Sequence, residues 1–376
     1  MRVHVLSRRR YRAHCFVYPL RAFSRQLRRR GIETKIFFRH DDERLTRCDV
    51  LAVVGDYWDT ASLLRRPEAT VEVLEDLRKR VPVLMWCDAT DDNGHLFEPA
   101  FAKVDLYAKK QILKERELYG YDYRERGYHS EYYYRNFGEE VARIPPAHEI
   151  PVQRALEPWE IEKLALAWNV GLGDYNTLLG HGRTLLPYKP YARFAGPVRD
   201  ALDTRRPLGV SCRGTTRYPL PAITFHRSEV SRLVSELADR TEHRIESRGR
   251  VSPREYLKEL AQTRICVSPF GFGEICWRDF EGMLCGALLV KPDMDHLETW
   301  PEYFEKDVTY AAHRWDFEDL QRSLLELLED PERCRRMAKT AQDRYLASLS
   351  QEGGEAFTEH FSALLERAWE RSERRP

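Results

Sequence analysis

The stretch from Gly249 to Asp295 reads GRVSPREYLKELAQTRICVSPFGFGEICWRDFEGMLCGALLVKPDMD. Gly249 to Pro253 is a turn that enters a helix over residues 254–262. Ser252 stands at the N-cap, Pro253 at the first helical position, and Glu255 at the capping-box place. Residues 265–267 form a short apolar strand, Gly271-Phe272-Gly273 a loop, and 280–285 a short helix closed by Gly286. Residues 287–290 are apolar throughout, as in a strand buried on both faces. Helices alternating with short buried strands predict a parallel sheet wound on both sides.

The same alternation runs outward in both directions. Downstream, residues 316–348 predict two amphipathic helices, and one more, rich in Glu and Arg, lies in the last thirty residues. Upstream, LGVSC at 208–212 is a strand that breaks at Arg213-Gly214, and a helix follows over 228–238. At the start of the chain, strands are expected at 3–6, 32–38, 50–54, 81–87 and 104–108. Helices are expected at 18–30, 71–79 and 109–119. Residues 120–160 are rich in Tyr and charge and contain Pro145-Pro146, which suits loops and short helices. The crossover between two α/β halves is placed near AWNVGLGD, with Gly171 and Gly173. The expected units are 1–165 and 166–376, the last helix packing back on the first.

The order of pieces in 249–295 resembles the donor-binding stretch of GT-B glycosyltransferases. The matching residues are Val267-Ser268-Pro269, Gly271, Gly273 and the run Glu281-Gly282-Met283-Leu284-Cys285-Gly286. Arg278-x-x-Glu281 also resembles exostosin-like enzymes. The resemblance covers about the last 130 residues and extends to the N-terminal half only in architecture. It implies two Rossmann-like doubly wound domains facing a cleft, with a nucleotide-sugar donor on the C-terminal side. The implied activity is metal-independent transfer of the sugar to a saccharide, lipopolysaccharide or other glycoconjugate hydroxyl, with no cofactor beyond the donor. A sugar-nucleotide epimerase and an inactive envelope or spore-coat scaffold of the same fold are the rival readings.

The chemistry of such a donor suits these residue types. A carboxylate accepts hydrogen bonds from both ribose hydroxyls, the role given to Glu281. The leaving diphosphate needs countercharge, which Arg278 and Arg213 would supply with a helix N-terminus. Gly271 and Gly273 let the backbone approach closely. Glu274 is assigned to the sugar hydroxyls, although its spacing from Glu281 is one residue shorter than in many retaining relatives. Arg250 and Ser252 fall near the nucleotide base. Each residue also has a plain structural reading: cap, ion pair, turn or solvated arginine.

On the acceptor side, Asp88, Asp91, Asp92 and His95 follow a buried strand, where ligands gather in open α/β sheets. Asp88 and Asp91 are the candidates for a general base, and Asp56 is a weaker one. The rival reading is an Asx-rich turn. Tyr119, Tyr121, Tyr123, Tyr128 and Tyr132 to Tyr134 are suited to stacking on sugars or to packing.

Composition narrows the rest. The chain has 376 residues, 42% of them hydrophobic, enough for two packed cores. Lys and Arg number 61 against 60 for Asp and Glu, which gives no global attraction to nucleic acid. The first thirty residues nevertheless hold ten arginines, nine of them between Arg8 and Arg30, a candidate surface for an anionic acceptor or for peripheral membrane contact. The eight cysteines include no C-x-x-C pair, so a metal site is not expected and a reduced cytoplasmic setting is. No signal-peptide core or membrane-length apolar run is evident.

Overall fold

A computed structural model describes residues 1–59, 63, 66–125, 127–172, 199–247 and 249–374. Gly173 lies outside the described residues. The first half runs β1 (Arg2–Leu6), α1 (Tyr11–Ala22), α2 (Ser24–Arg29), β2 (Glu33–Phe37), β3 (Val50–Val54), α3 (Pro67–Arg80), β4 (Val83–Asp88), β5 (Leu106–Lys109) and β6 (Gln111–Leu113). Then come β7 (Tyr123–Arg124), α4 (Tyr128–Asn136), α5 (Gly138–Ala142), β8 (Val152–Gln153), α6 (Pro158–Lys163) and β9 (Leu164–Leu166). The second half runs β10 (Leu208–Ser211), α7 (Pro221–Glu236), β11 (Arg244–Glu246), α8 (Pro253–Leu260), β12 (Thr263–Val267), α9 (Trp277–Leu284) and β13 (Leu288–Pro292). It ends with β14 (Leu297–Thr299), β15 (Tyr310–His313), α10 (Leu320–Glu329), α11 (Pro331–Ser348) and α12 (Gln351–Glu373).

Two parallel sheets organise these elements. Their orders are β2-β1-β3-β4-β5-β9 and β11-β10-β12-β13-β15. Both share the doubly wound 2-1-3-4-5 pattern, which reverses direction between its first and third strands. The chain is therefore two Rossmann-like units in the GT-B architecture. Ligand crevices of such sheets lie beyond the carboxyl ends of the strands at the reversal. In the second unit that is where β10 and β12 end, at Ser211 and Val267.

Continuous apolar runs build the sheets: β3 and β4 are buried at every position. Local signals fix several ends. Ser252 caps α8, and Glu255 returns the capping-box bond, as the sequence implied. The expected helix over 109–119 is not formed. Its residues make the end of β5, then β6, then a 3-10 turn at Arg116–Gly120. The reason is long-range: β6 pairs antiparallel with β14, and Lys109, Lys110 and Gln111 are wholly buried on polar partners. Two helices start earlier than their patterns implied, at Tyr11 and Pro221.

The halves are stitched together. Phe357, Phe361, Leu364 and Leu365 of α12 share a core with Val50, Val83 and Leu106 of the first sheet. Tyr133 of α4 packs with Val210, Phe225 and Phe317 of the second unit. A further apolar cluster runs from Leu51 and Trp86 to Phe280 and Tyr345.

Candidate active site

The second-unit crevice is built around Gly214, three residues beyond the end of β10. Its backbone has φ of 156°, and a Cβ there would lie 2.5 Å from Arg227 Nη2 and 2.7 Å from Arg278 Nη2. Two guanidinium groups thus flank one glycine. Arg227 comes from α7, buried, and its Nε donates to the Thr215 carbonyl at 2.6 Å and its Nη1 to the Phe270 carbonyl at 3.1 Å. Arg278 comes from the first turn of α9, and its buried Nη1 has no hydrogen-bond partner among the described residues. Burial first, then repulsion by Arg278, lowers the pKa of Arg227. Arg227, tied to backbone carbonyls, and Arg278 place two like charges beside one space, a site that gains stability when an anion enters. Gly271 faces the same space, its nearest neighbour Arg227 Nη1 standing 3.6 Å from a Cβ placed there.

Glu281 lies one turn further along α9, on the side of Arg278. It is buried, and burial pushes its carboxyl up to about 7, with Arg278 pulling down and Asp279 adding to the rise. The folded state holds this proton more tightly than the unfolded chain, whose carboxyl titrates near 4.5. The stability it contributes is therefore complete below about 4.5 and is lost as pH rises through about 7. Glu281→Gln, which has no charge to desolvate, is expected to stabilise the fold at pH 8 by roughly 2–3 kcal/mol and to leave it unchanged at pH 4. Denaturant unfolding at the two pH values measures this, and an equal shift at both would contradict it.

A buried ion pair holds the mouth of α9. Lys291 Nζ of β13 lies 2.9 Å from both oxygens of Asp279 and donates to the Glu274 carbonyl at 2.9 Å. Asp279 in turn accepts from the Cys276 amide and the Ser268 hydroxyl. Asp279 is thus committed to Lys291, which leaves Arg278 turned to the crevice.

Glu274 was expected on the sugar, but its carboxylate is fully buried in a ring of donors. Gln111 Nε2 donates at 2.6 Å, His129 Nδ1 stands at 3.1 Å, His296 Nε2 at 3.6 Å, and Asn93 Nδ2 also donates. Burial would raise its pKa, but His129 and His296 together hold it well below the usual carboxylate range. The ring joins segments from both units. Beside it the Gly273 backbone presses on the 91–92 loop: a Cβ on Gly273 would lie 1.6 Å from the Asp91 carbonyl oxygen. The carboxyl ends of the two sheets meet here. Asn93 Oδ1, Gln111 Oε1 and His129 Nε2 remain buried without a hydrogen bond among the described residues.

Other expected residues are placed differently. The Arg213 guanidinium is engaged by Glu259, at 2.9 Å and 3.1 Å, and by Glu246 at 2.7 Å. A fork occupied by two carboxylates does not offer itself to a phosphate, and Arg227 stands where Arg213 was expected. Asp88 accepts from Tyr107, Thr90 and Lys109. Burial raises its pKa, but Lys109 and these hydrogen bonds outweigh that and hold it at about 2, too weak a base to take a hydroxyl proton. Asp92 accepts from the His95 amide, a turn role. Asp91 is more open and pairs with Lys110 Nζ at 2.8 Å, with Arg12 at 4.0 Å. Arg12 itself grips Asp56 through Nε at 2.6 Å and Nη2 at 2.8 Å. Arg250 and Ser252 lie exposed beyond β11.

Arg227, His129, His296, Asn93 and Gln111 were not singled out from sequence. Arg227 left one trace: it is a charge inside the apolar turn of PAITFHRSEV.

Residues 217–352, within the second unit, match the family described as glycosyl transferase-like. No curated protein matches the chain. Among solved structures it is similar to an alpha-glucosyltransferase in complex with UDP, at 10% identity and a TM-score of 0.48, covering 97% of this chain and 100% of that one. An alpha-glucosyltransferase with UDP and a 13-mer DNA containing a HMU base is similar at 9% identity, TM-score 0.46, covering 98% and 99%. Anabaena HepE in complex with UDP is similar at 12% identity, TM-score 0.44, covering 97% and 100%. Among the described residues no helix is long and apolar enough to cross a membrane, and no group of three or more His, Cys, Asp or Glu is placed to hold a metal ion.

Proposed function

We propose that the chain is a glycosyltransferase that binds a nucleotide-sugar between its two units and moves the sugar to a hydroxyl of a saccharide or glycoconjugate. The observation that carries this is the pair of guanidinium groups on Gly214 with Glu281 one helical turn away, at the carboxyl ends of β10 and β12. The diphosphate lies across Arg227 and Arg278, and Glu281 takes the ribose diol. Arg250 and Ser252 border the base. The two arginines supply the positive charge that a divalent cation supplies elsewhere, so the leaving group needs no metal. Protein donors already fixed in place lose little on reorganisation when charge develops on the leaving oxygen.

The sugar faces the polar wall of Asn93, Gln111 and His129, and Glu274 acts by orienting those donors. Asp91, at the edge of that wall, receives the acceptor's proton as its oxygen bonds to the anomeric carbon and the bond to diphosphate breaks. Lys110 Nζ at 2.8 Å and Arg12 at 4.0 Å fix the position of the Asp91 carboxylate at that edge.

Thermal-shift titration with UDP, GDP, dTDP and CMP tests the reading, because only a ligand that binds the folded state raises the melting point. One nucleotide should bind, and Glu281→Ala should weaken it by about 1.5–3 kcal/mol, the range for hydrogen bonds to a charged group. Unchanged affinity in folded Glu281→Ala would place the nucleotide elsewhere.

A further inference from the structure

The first sheet carries a second concentration of positive charge, far from the crevice. Arg2 and His4 of β1, Glu33, Thr34 and Lys35 of β2, Ser24 and Arg28 of α2, and Arg44 and Arg47 of the following loop line one cavity of about 570 Å³. Arg2 and Glu33 lie side by side in the parallel register, as do His4 and Lys35. Successive side chains alternate across a sheet, so Arg2, His4, Glu33 and Lys35 share one face. Thr34 is on the other, with α2; its hydroxyl reaches the Leu20 carbonyl. The cavity therefore wraps β2, which is the edge of its sheet.

The charges here are only partly neutralised within the chain. Arg44 is gripped by Asp42 through Nε at 2.9 Å and Nη2 at 2.7 Å. The side chains of Arg2, Arg28, Lys35 and Arg47 make no ion pair or hydrogen bond among the described residues, and Glu33 is the single carboxylate in the lining. Elsewhere the surface arginines are mostly paired, as Arg29 is with Glu355 and Arg232 with Glu229 and Glu236. A lysine on an edge strand is one means of discouraging pairing, and Lys35 already provides it. That protection does not require arginines converging from a helix and a loop.

We propose that this cavity binds a water-soluble ligand carrying closely spaced phosphate groups. Guanidinium forks match phosphate oxygens two at a time, and cations on several sides suit more than one such group. A bilayer surface would call for apolar side chains inserted beside the charges. The lining of this cavity holds no large apolar side chain. The cavity lies toward the amino ends of β1 and β2, opposite the crevice, so its ligand is distinct from the donor.

Calorimetric titration with inorganic tripolyphosphate tests this on the wild type, on Arg28→Ala with Arg47→Ala, and on Arg278→Leu. Both groove arginines are exposed, so their loss leaves the fold intact. The wild type should bind and the Arg278→Leu protein should keep one tripolyphosphate site. The groove variant should lose at least about tenfold in affinity for that site, and high salt should weaken it in the wild type. Equal affinity in the groove variant overturns the proposal. So does the absence of a site in Arg278→Leu, which would assign all binding to the crevice. Sedimentation with anionic vesicles in the absence of tripolyphosphate binding would also overturn it, by assigning the patch to a membrane.

Discussion

Arg278→Met is expected to cut turnover by about 10²–10³, and Arg227→Met by a similar factor, with the fold retained. Both arginines face the place where a leaving diphosphate gains charge, and removal of one preorganised donor at such a place commonly costs about 3–4 kcal/mol of barrier. Neither holds the structure together through a carboxylate. Arg227 ties to backbone carbonyls and Arg278 leaves Nη1 unpartnered. Methionine keeps much of the volume and relieves the repulsion that depresses Arg227. Single-turnover rates with the donor of whichever nucleotide binds, read beside unfolding midpoints, separate the two effects. An active Arg278→Met enzyme would remove the guanidinium pair from the chemistry.

Gly273→Ala should destabilise the protein by on the order of 4–5 kcal/mol, beyond the usual reach of a single methyl. No left-handed backbone requires glycine here; the constraint is space. The new Cβ would meet the Asp91 carbonyl oxygen at 1.6 Å, its carbon at 2.1 Å and the Asp92 nitrogen at 2.7 Å, all main chain. Main-chain atoms cannot swing aside, so the two loops must part. Parting them draws Glu274 from Asn93, Gln111 and His129 and leaves several buried polar groups without partners, each costing about 1–3 kcal/mol. Urea unfolding measures the loss. A variant as stable as the wild type would show that the loops do not meet so closely.

These two residues also show what could be read before folding. Arg278, Glu281 and Gly273 were singled out through the resemblance of one segment to the GT-B donor stretch, while the capping box at Ser252 was legible from local spacing and is formed. Arg227 escaped notice because it shares the crevice with Arg278, 51 residues later in the chain, only after α7 and α9 pack. Arg213 was misjudged because its partners, Glu246 and Glu259, come from the end of β11 and from α8. The strand at Gln111–Leu113 resembled a helix because its ladder partner, Leu297–Thr299, follows about half the chain later. Glu274 was read by analogy with a sugar ligand, since its four neighbours are supplied by four separate segments.

The antiparallel pairing of β6 with β14 has a consequence for how the molecule melts. A ladder shared between the halves, together with α12 laid across the opposite sheet, leaves neither half a complete globule by itself. Heating should therefore give one calorimetric peak, with equal van't Hoff and measured enthalpies. Cutting the chain between β9 and β10 should yield fragments that fold only when mixed.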